Sequence, residues 1–180
     1  MTIFWNRKQI KPTNAEIILL KKQFGDISIR DSMDIFKISE KVINDISHKE
    51  SSNFPLSVSK ILERQTGYCY DRSLILQKIF LFNKIPLRPV FIYYSIDGQD
   101  VGLTDLFDKD LLSHNVFEYY YNGKWNMMRT NKVLNQSISL DDYINQGKTV
   151  PSNSKYIRYL NNRSGKFLYP SFIPDIYFFN

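Results

Sequence analysis

The sequence predicts an α+β fold in which helices come first and an antiparallel sheet follows. Three observations point there. Amphipathic and apolar helical segments fill the first half of the chain. Strand-forming runs fill much of the second, and one folds back on itself at Asn122-Gly123, the strongest two-residue hairpin signal. Aromatic residues make up 15% of the 180 residues, with 12 Tyr and 13 Phe, and these side chains suit a pleated, half-buried surface. Helices followed by strands is the pattern of an antiparallel α+β domain.

The elements follow in order. "TNAEIILLKKQF" reads as a short helix, capped by Thr13 or Asn14 and stopped at Gly25. "DSMDIFKISEKVINDISHK" is the clearest amphipathic helix, with Ile35, Ile38, Val42 and Ile46 at helical spacing and Asp31 or Ser32 as cap. His48 falls on the polar side of its end, a surface position. "SSNFP" is a loop, and "LSVSKILERQ" a shorter helix leading to Gly67. From Cys69 to Asn83 the apolar residues Leu74, Ile75, Leu76, Ile79, Phe80, Leu81 and Phe82 cover most of the helix circumference, so this helix belongs in the middle of the domain. Pro86 breaks it, and "LRPVFIYYS" reads as a strand. "SIDGQD" is a turn region and "GLTDLFDKDLLS" an irregular loop or short helical turn. "HNVFEYYYNGKWNMMRTN" is the hairpin, and "SLDDYINQG" a short helix with Ser139 as cap. The segment after it admits edge strands, whose length its two prolines limit.

Composition narrows the function classes. Hydrophobic residues are 43% and charged residues 23%, enough for a real core in one domain over residues 1–180. The net charge is +6. That admits nucleic acid or an anionic membrane as partner, but Lys and Arg are scattered, and a solvated basic surface is the plainer reading. Nucleic acid is therefore disfavoured. One Cys excludes an intrachain disulfide framework and leaves the redox compartment open. Two His and one Cys cannot make a structural zinc site of the usual kind, so neither metal nor cofactor is expected. No stretch of about 20 apolar residues exists to insert in a membrane. The N-terminus lacks a secretory signal, which makes the cytoplasm the expected compartment, although a chain whose leader had been removed would look the same.

The chemistry centres on "TGYCYDRSLIL". A thiolate is the reactive form of cysteine, and an unperturbed thiol is mostly protonated at neutral pH. The first turn of a helix carries unpaired N–H groups and partial positive charge, so it favours a thiolate at Cys69 and offers oxyanion donors to a substrate. Gly67 would let the chain turn sharply into the helix with no side chain blocking access. The alternative is that Cys69 is a small buried hydrophobe, the commoner fate of a cysteine outside a disulfide. Position alone leaves both readings open. His114, at the start of the hairpin, is the counterweight.

Three motifs in order resemble the transglutaminase-like superfamily of papain-like cysteine enzymes. "GYCYD" matches the family's Gly-x-Cys-x-Asp helix start. "KIPLRPV" matches its Ile-Pro-x-Arg-x-Val strand entry, with Lys84 in place of a glycine. "HNVFEYYYNGKW" matches its His-x-x-x-Glu hairpin. The resemblance covers about residues 33–131 and leaves 132–180 as a C-terminal extension. It implies a papain/transglutaminase-like core, with a buried nucleophile helix packed on the antiparallel sheet. It also implies Cys69 as nucleophile, His114 as general base, and attack on an amide of a protein or peptide substrate through a thioester.

One position departs from the family. Its third member is an aspartate, and the matching residue here is Arg129. A guanidinium there disfavours imidazolium and weakens a Cys–His ion pair. With a two-residue turn, Tyr121 pairs with Lys124 and His114 falls opposite Asn131, which would then share its face and orient it. Asn131 is equally readable as a strand-end turn residue. Gln65, four residues before Cys69, is a candidate side-chain oxyanion donor, or a polar residue at a helix end. Asp71 suits the helix dipole and is expected to pair with Arg88, a structural role. Trp125 is expected in the hairpin core, with a place at the rim of the cleft as the alternative. Two main readings follow: a cysteine acyl-transfer enzyme, hydrolase or transferase, and a lapsed member of the same fold that binds a protein or peptide in the old cleft, with Arg129 as its support. A basic nucleic-acid-binding module has no recognised motif behind it.

Overall fold

The computed structural model describes residues 5–9, 11–48, 57–95, 111–130, 137–146, 154–158, 160–161 and 166–170. The loop expected at 51–55, the turn region at 96–100, most of the irregular segment after it and Asn131 lie outside the described residues.

Among the described residues four helices come before the main sheet. In α1 (Asn14–Phe24), Thr13 and Glu16 form a reciprocal capping box: the Glu16 carboxylate accepts from the Thr13 N–H at 2.8 Å, and the Thr13 hydroxyl accepts from the Glu16 N–H at 3.2 Å. Gly25 ends the helix at φ 74°, a left-handed value that suits glycine. In α2 (Ser32–Asp45), the Asp31 carboxylate caps the Asp34 N–H at 2.9 Å. This helix stops earlier than its apolar spacing suggests. Ile46 is fully buried but extended, so His48 lies in the two-residue strand β2 (Ser47–His48) rather than on a helix end. Next come α3 (Val58–Arg64) and β3 (Thr66–Gly67), which pairs parallel with β2, and then α4 (Cys69–Phe82). In α4, Ile75, Leu76, Ile79 and Phe80 are fully buried, as a helix apolar nearly all round requires.

The main sheet has the order β6-β5-β4-β7 and is antiparallel throughout: β4 (Leu87–Ser95), β5 (Leu111–Tyr121), β6 (Lys124–Met128) and β7 (Lys155–Arg158). Asn122 and Gly123, at φ 50° and 78°, make the tight turn between β5 and β6. Tyr121 pairs with Lys124, and the register runs unbroken to Phe117 opposite Met128. Strand β5 begins at Leu111, inside the segment expected to be loop. Helix α5 (Leu140–Asn145) follows β6, capped by Ser139. A second antiparallel sheet joins β1 (Trp5–Gln9), β8 (Leu160–Asn161) and β9 (Lys166–Pro170) in the order β1-β9-β8. The sequence gives little sign of β1, because "WNRKQ" holds one apolar residue in five and shows no alternation.

Alternation along the strands sorts side chains to two faces. Leu87, Phe117, Tyr119 and Met128 face α4, with the Phe80 ring edge-on to Phe117 at 5.4 Å and to Tyr119 at 5.0 Å. Val90, Ile92, Val116 and Met127 face the other way and pack on Leu140, Tyr143 and Ile144 around α5. The fold is therefore a mixed helix-and-strand domain with an apolar layer on each face of its main sheet. Among the described residues no helix is long and apolar enough to cross a membrane.

Candidate functional site

The start of α4 is built tightly. Asp71, fully buried, accepts the Tyr68 N–H through Oδ2 at 2.9 Å, which satisfies one of the donors a helix start leaves open. A Cβ on Gly67 would lie 2.7 Å from the Asp71 Cβ. The glycine is thus needed for the close approach of Asp71, and not for the sharp, open turn expected from the sequence. Its φ is not in the left-handed range. Cys69, the first residue of α4, is partly exposed.

Arg72, one helical turn on, is 5% exposed. Its Nε donates to the Ile46 carbonyl at 2.7 Å, Nη2 to the Ile43 carbonyl at 3.2 Å and Nη1 to the Thr130 carbonyl at 3.2 Å. Two of these acceptors lie at the C-terminal end of α2, where carbonyls lack helical partners and the helix is partially negative. The third lies just beyond β6. One side chain therefore fastens the start of α4 to the end of α2 and to the end of the hairpin. Burial pushes the Arg72 pKa down, and the Cys69 charge acts the other way. Across the site, burial raises the pKa of Tyr94 on β4, and the Cys69 charge adds to the rise. Cys69 thus lies within electrostatic reach of both.

His114 sits on β5 opposite Ile92, on the face that Val116 shares and two residues from Tyr94's partner position. It is 9% exposed, and its Nε2 is buried with no hydrogen-bond partner among the described residues. Burial first, then the charges of Arg129 and His48, lower its pKa to about 4. At neutral pH it is an uncharged imidazole. Arg129 continues the Met127 face, is 8% exposed, and places its guanidinium 4.8 Å above the Tyr143 ring. His48 pairs beside Gly67, and its ring meets Tyr68 edge-on at 5.8 Å.

Other expected residues fall elsewhere. Arg88 does not take Asp71 as its partner. Antiparallel register puts Glu118 directly opposite Arg88, and Arg88 Nε meets the Glu118 carboxylate at 2.6 Å while Asp71 is turned in to the Tyr68 N–H. The Arg88 guanidinium also lies 4.1 Å over the Trp125 ring, so Trp125 is a half-buried lid on that ion pair and not a core residue. It helps line a cleft of about 620 Å³ with Lys124, Asn126 and Asn145. Gln65 is an exposed C-cap of α3 at φ 52°, and its carbonyl accepts from the Ser47 N–H at 2.8 Å. Asn131 lies outside the described residues. Arg72 and Tyr94 are additions to the site read from sequence. The signal for Arg72 was available: a charged residue one turn after Cys69, in a helix with no face to spare for solvent.

No family model matches the sequence, and no curated protein matches it. Two solved structures are similar in chain path. One, described as a putative cysteine protease from Cytophaga hutchinsonii, is 16% identical with a TM-score of 0.48; the match covers 90% of this chain and 61% of that one. The other, described as a TGase, is 14% identical with a TM-score of 0.44, covering 79% and 40%. The chain spans less than two thirds of either.

Proposed function

We propose that this protein carries out cysteine-dependent acyl transfer on an amide or peptide. Cys69 Sγ attacks the carbonyl carbon while neutral His114 accepts the thiol proton and passes it to the departing amine. The C–N bond breaks and a thioester forms on Cys69. Water or a second amine, deprotonated by the same imidazole, then attacks the thioester and releases the thiol. N–H groups in the first turn of α4 are the donors for the oxyanion. The observation that carries this reading is the placement of a partly exposed Cys69 as the first residue of a 14-residue helix, locked there by Asp71 and Arg72. The resemblance of "GYCYD", "KIPLRPV" and the His114 hairpin to transglutaminase-like enzymes agrees with it.

A second reading has its own support. Burial first, and then the positive charges of Arg129 and His48, hold the His114 imidazole far below its ordinary pKa, which weakens it as a base and suits a lapsed enzyme that binds a peptide. One experiment separates the two. The protein is incubated with a peptide thioester and the intact mass is read. Acyl transfer gives an adduct on Cys69 that hydroxylamine removes, that Cys69→Ala lacks, and that forms ~10²-fold or more slowly in His114→Gln. A peptide that binds wild type and Cys69→Ala equally, with no adduct, identifies the binding module.

A further inference from the structure

We propose that Arg72 is the resident counter-charge of the Cys69 thiolate, a positioning residue that supplies the cation and fixes the nucleophile's turn against α2 and the end of β6. This rests on the reading of Cys69 as the nucleophile, and it moves the ion pair from Cys–His to Cys–Arg.

Arg72 is buried. A guanidinium 5% exposed is costly unless charge or hydrogen bonds compensate it. Arg72 has three backbone carbonyls, one on each guanidinium nitrogen, which hold the group but do not neutralise it. Among the described residues no carboxylate forms an ion pair with it. Asp71, its neighbour in sequence, is directed to the Tyr68 N–H instead. Residues three apart on a helix are surface neighbours, so the Cys69 thiol lies beside Arg72 and can become an anion there. The electrostatic coupling agrees, since the Cys69 charge favours the charged form of Arg72, and the attraction is mutual. His114 cannot fill this role, because it is neutral at any pH well above about 4. The carbonyl fork has a further consequence. A cation pinned at three points cannot swing to solvent, so its position relative to Cys69 is set by the fold.

Asp71 and Arg72 on α4, Tyr94 on β4 and His48 on β2 lie within reach of Cys69 or its turn, and His114 on β5 and Arg129 after β6 are coupled to one another and, through His114, to His48. Only the first two are on its own helix. The test must separate Arg72 from the other cations. The chain has one cysteine, so the rate of alkylation by iodoacetamide against pH reads this thiol alone, with no substrate present. In wild type the midpoint is expected about one pH unit or more below the ordinary value of ~8.5. Arg72→Gln keeps donors for the carbonyls but loses the charge, and should move the midpoint up by about one unit, an approximately tenfold slower reaction near neutral pH. Arg72→Lys should retain most of the lowering, and His114→Gln should leave the midpoint unchanged. An ordinary midpoint in wild type, an unmoved one in folded Arg72→Gln, or a rise to the ordinary value in His114→Gln overturns the proposal. Should Arg72→Gln fail to fold, the folded Lys variant decides: a lowered midpoint supports the counter-charge and an ordinary one rejects it. The outcome is separable from the acyl-transfer reading. A lowered thiol that forms no acyl adduct leaves the counter-charge standing and removes the enzyme, and an adduct on a thiol of ordinary midpoint does the reverse.

Discussion

The two faces of the main sheet have been put to different uses. The face under α4 presents Leu87, Phe117, Tyr119 and Met128 to a 14-residue helix. The opposite face has an apolar centre in Val90, Ile92 and Val116, but it also carries Arg88, Glu118, His114 and Arg129, and its helix, α5, has six residues. A long apolar helix seals one side, and its buried ionisable residues Asp71, Arg72 and Lys78 sit outside the apolar cluster against the sheet, each with its own partner. A short helix covers the other side partially, so charges there are buried only in pairs, or beside an aromatic ring. The candidate chemistry gathers where the two systems meet: α4 lies over the first face, and Arg72 ties its first turn to the end of the hairpin that carries the second.

The largest effect is expected on the α4 side. Phe117→Ala should destabilise the fold by ~3–5 kcal/mol, the usual range for emptying a packed aromatic site, measured by chemical denaturation. A loss under about 1 kcal/mol would mean that this face is loosely packed and that the two faces do not differ in this way.

The next effect belongs to the other face. Unfolded, His114 takes up a proton near its ordinary 6.5, and folded it does so near 4. Between these values the unfolded chain binds more protons, so stability rises with pH across that window. The contribution is fully present above pH 6.5 and is lost as pH falls to about 4, with a magnitude of about 3 kcal/mol. In His114→Gln that part of the pH dependence should vanish. Arg129→Gln should raise the His114 titration seen by NMR, but not fully to 6.5, because burial is the larger cause. If Arg129→Gln leaves the titration in place, Arg129 is not acting on the imidazole.

Glu118 gives a smaller effect on the same face. Its carboxylate is almost fully buried, and Arg88 is about a quarter exposed, so Glu118→Gln weakens a charge-assisted bond without stranding a fully buried cation. A cost of about 1–3 kcal/mol is expected, with increased solvent quenching of Trp125 fluorescence as the Arg88 guanidinium leaves its ring. An unchanged Trp125 signal would separate the ion pair from the stacking.

These contrasts also explain what could be read from the sequence. The elements α1 to α4 and the Asn122-Gly123 hairpin were legible because each follows local rules: capping residues, helical spacing, a turn that demands positive φ. The place of Cys69 at a helix start and of His114 on the first hairpin strand was legible too. The Arg88–Glu118 pair was missed because it depends on cross-strand register between β4 and β5, which no local pattern supplies, and Asp71 at the right distance in sequence offered a false partner. Arg72 was passed over although it interrupts an apolar helix; its role depends on carbonyls 26 and 58 residues away. β1 was invisible because its pairing with β9 joins opposite ends of the chain and leaves no periodic trace.

The smallest predicted effect tests whether ionisable groups on the helical side are merely structural. Lys78 of α4 meets Glu16 of α1 at 3.0 Å, with Lys78 6% and Glu16 23% exposed at the side chain. Burial works against the Glu16 carboxylate, but hydrogen bonds from Thr13 and Lys78 outweigh it and hold its pKa below the usual 4.5. The sign then follows: the pair stabilises the fold above pH 4.5, and the contribution is lost as pH falls through the lowered folded value. Solvent screens the Glu16 end, so Glu16→Gln should cost about 1 kcal/mol or less and flatten the acid limb of the stability profile slightly. The same variant should leave the pH profile of Cys69 alkylation untouched, because Glu16 and Lys78 belong to the sealed side. A shifted Cys69 profile in Glu16→Gln would show that α4 transmits charge along its length, and that the division of labour between the two faces does not hold.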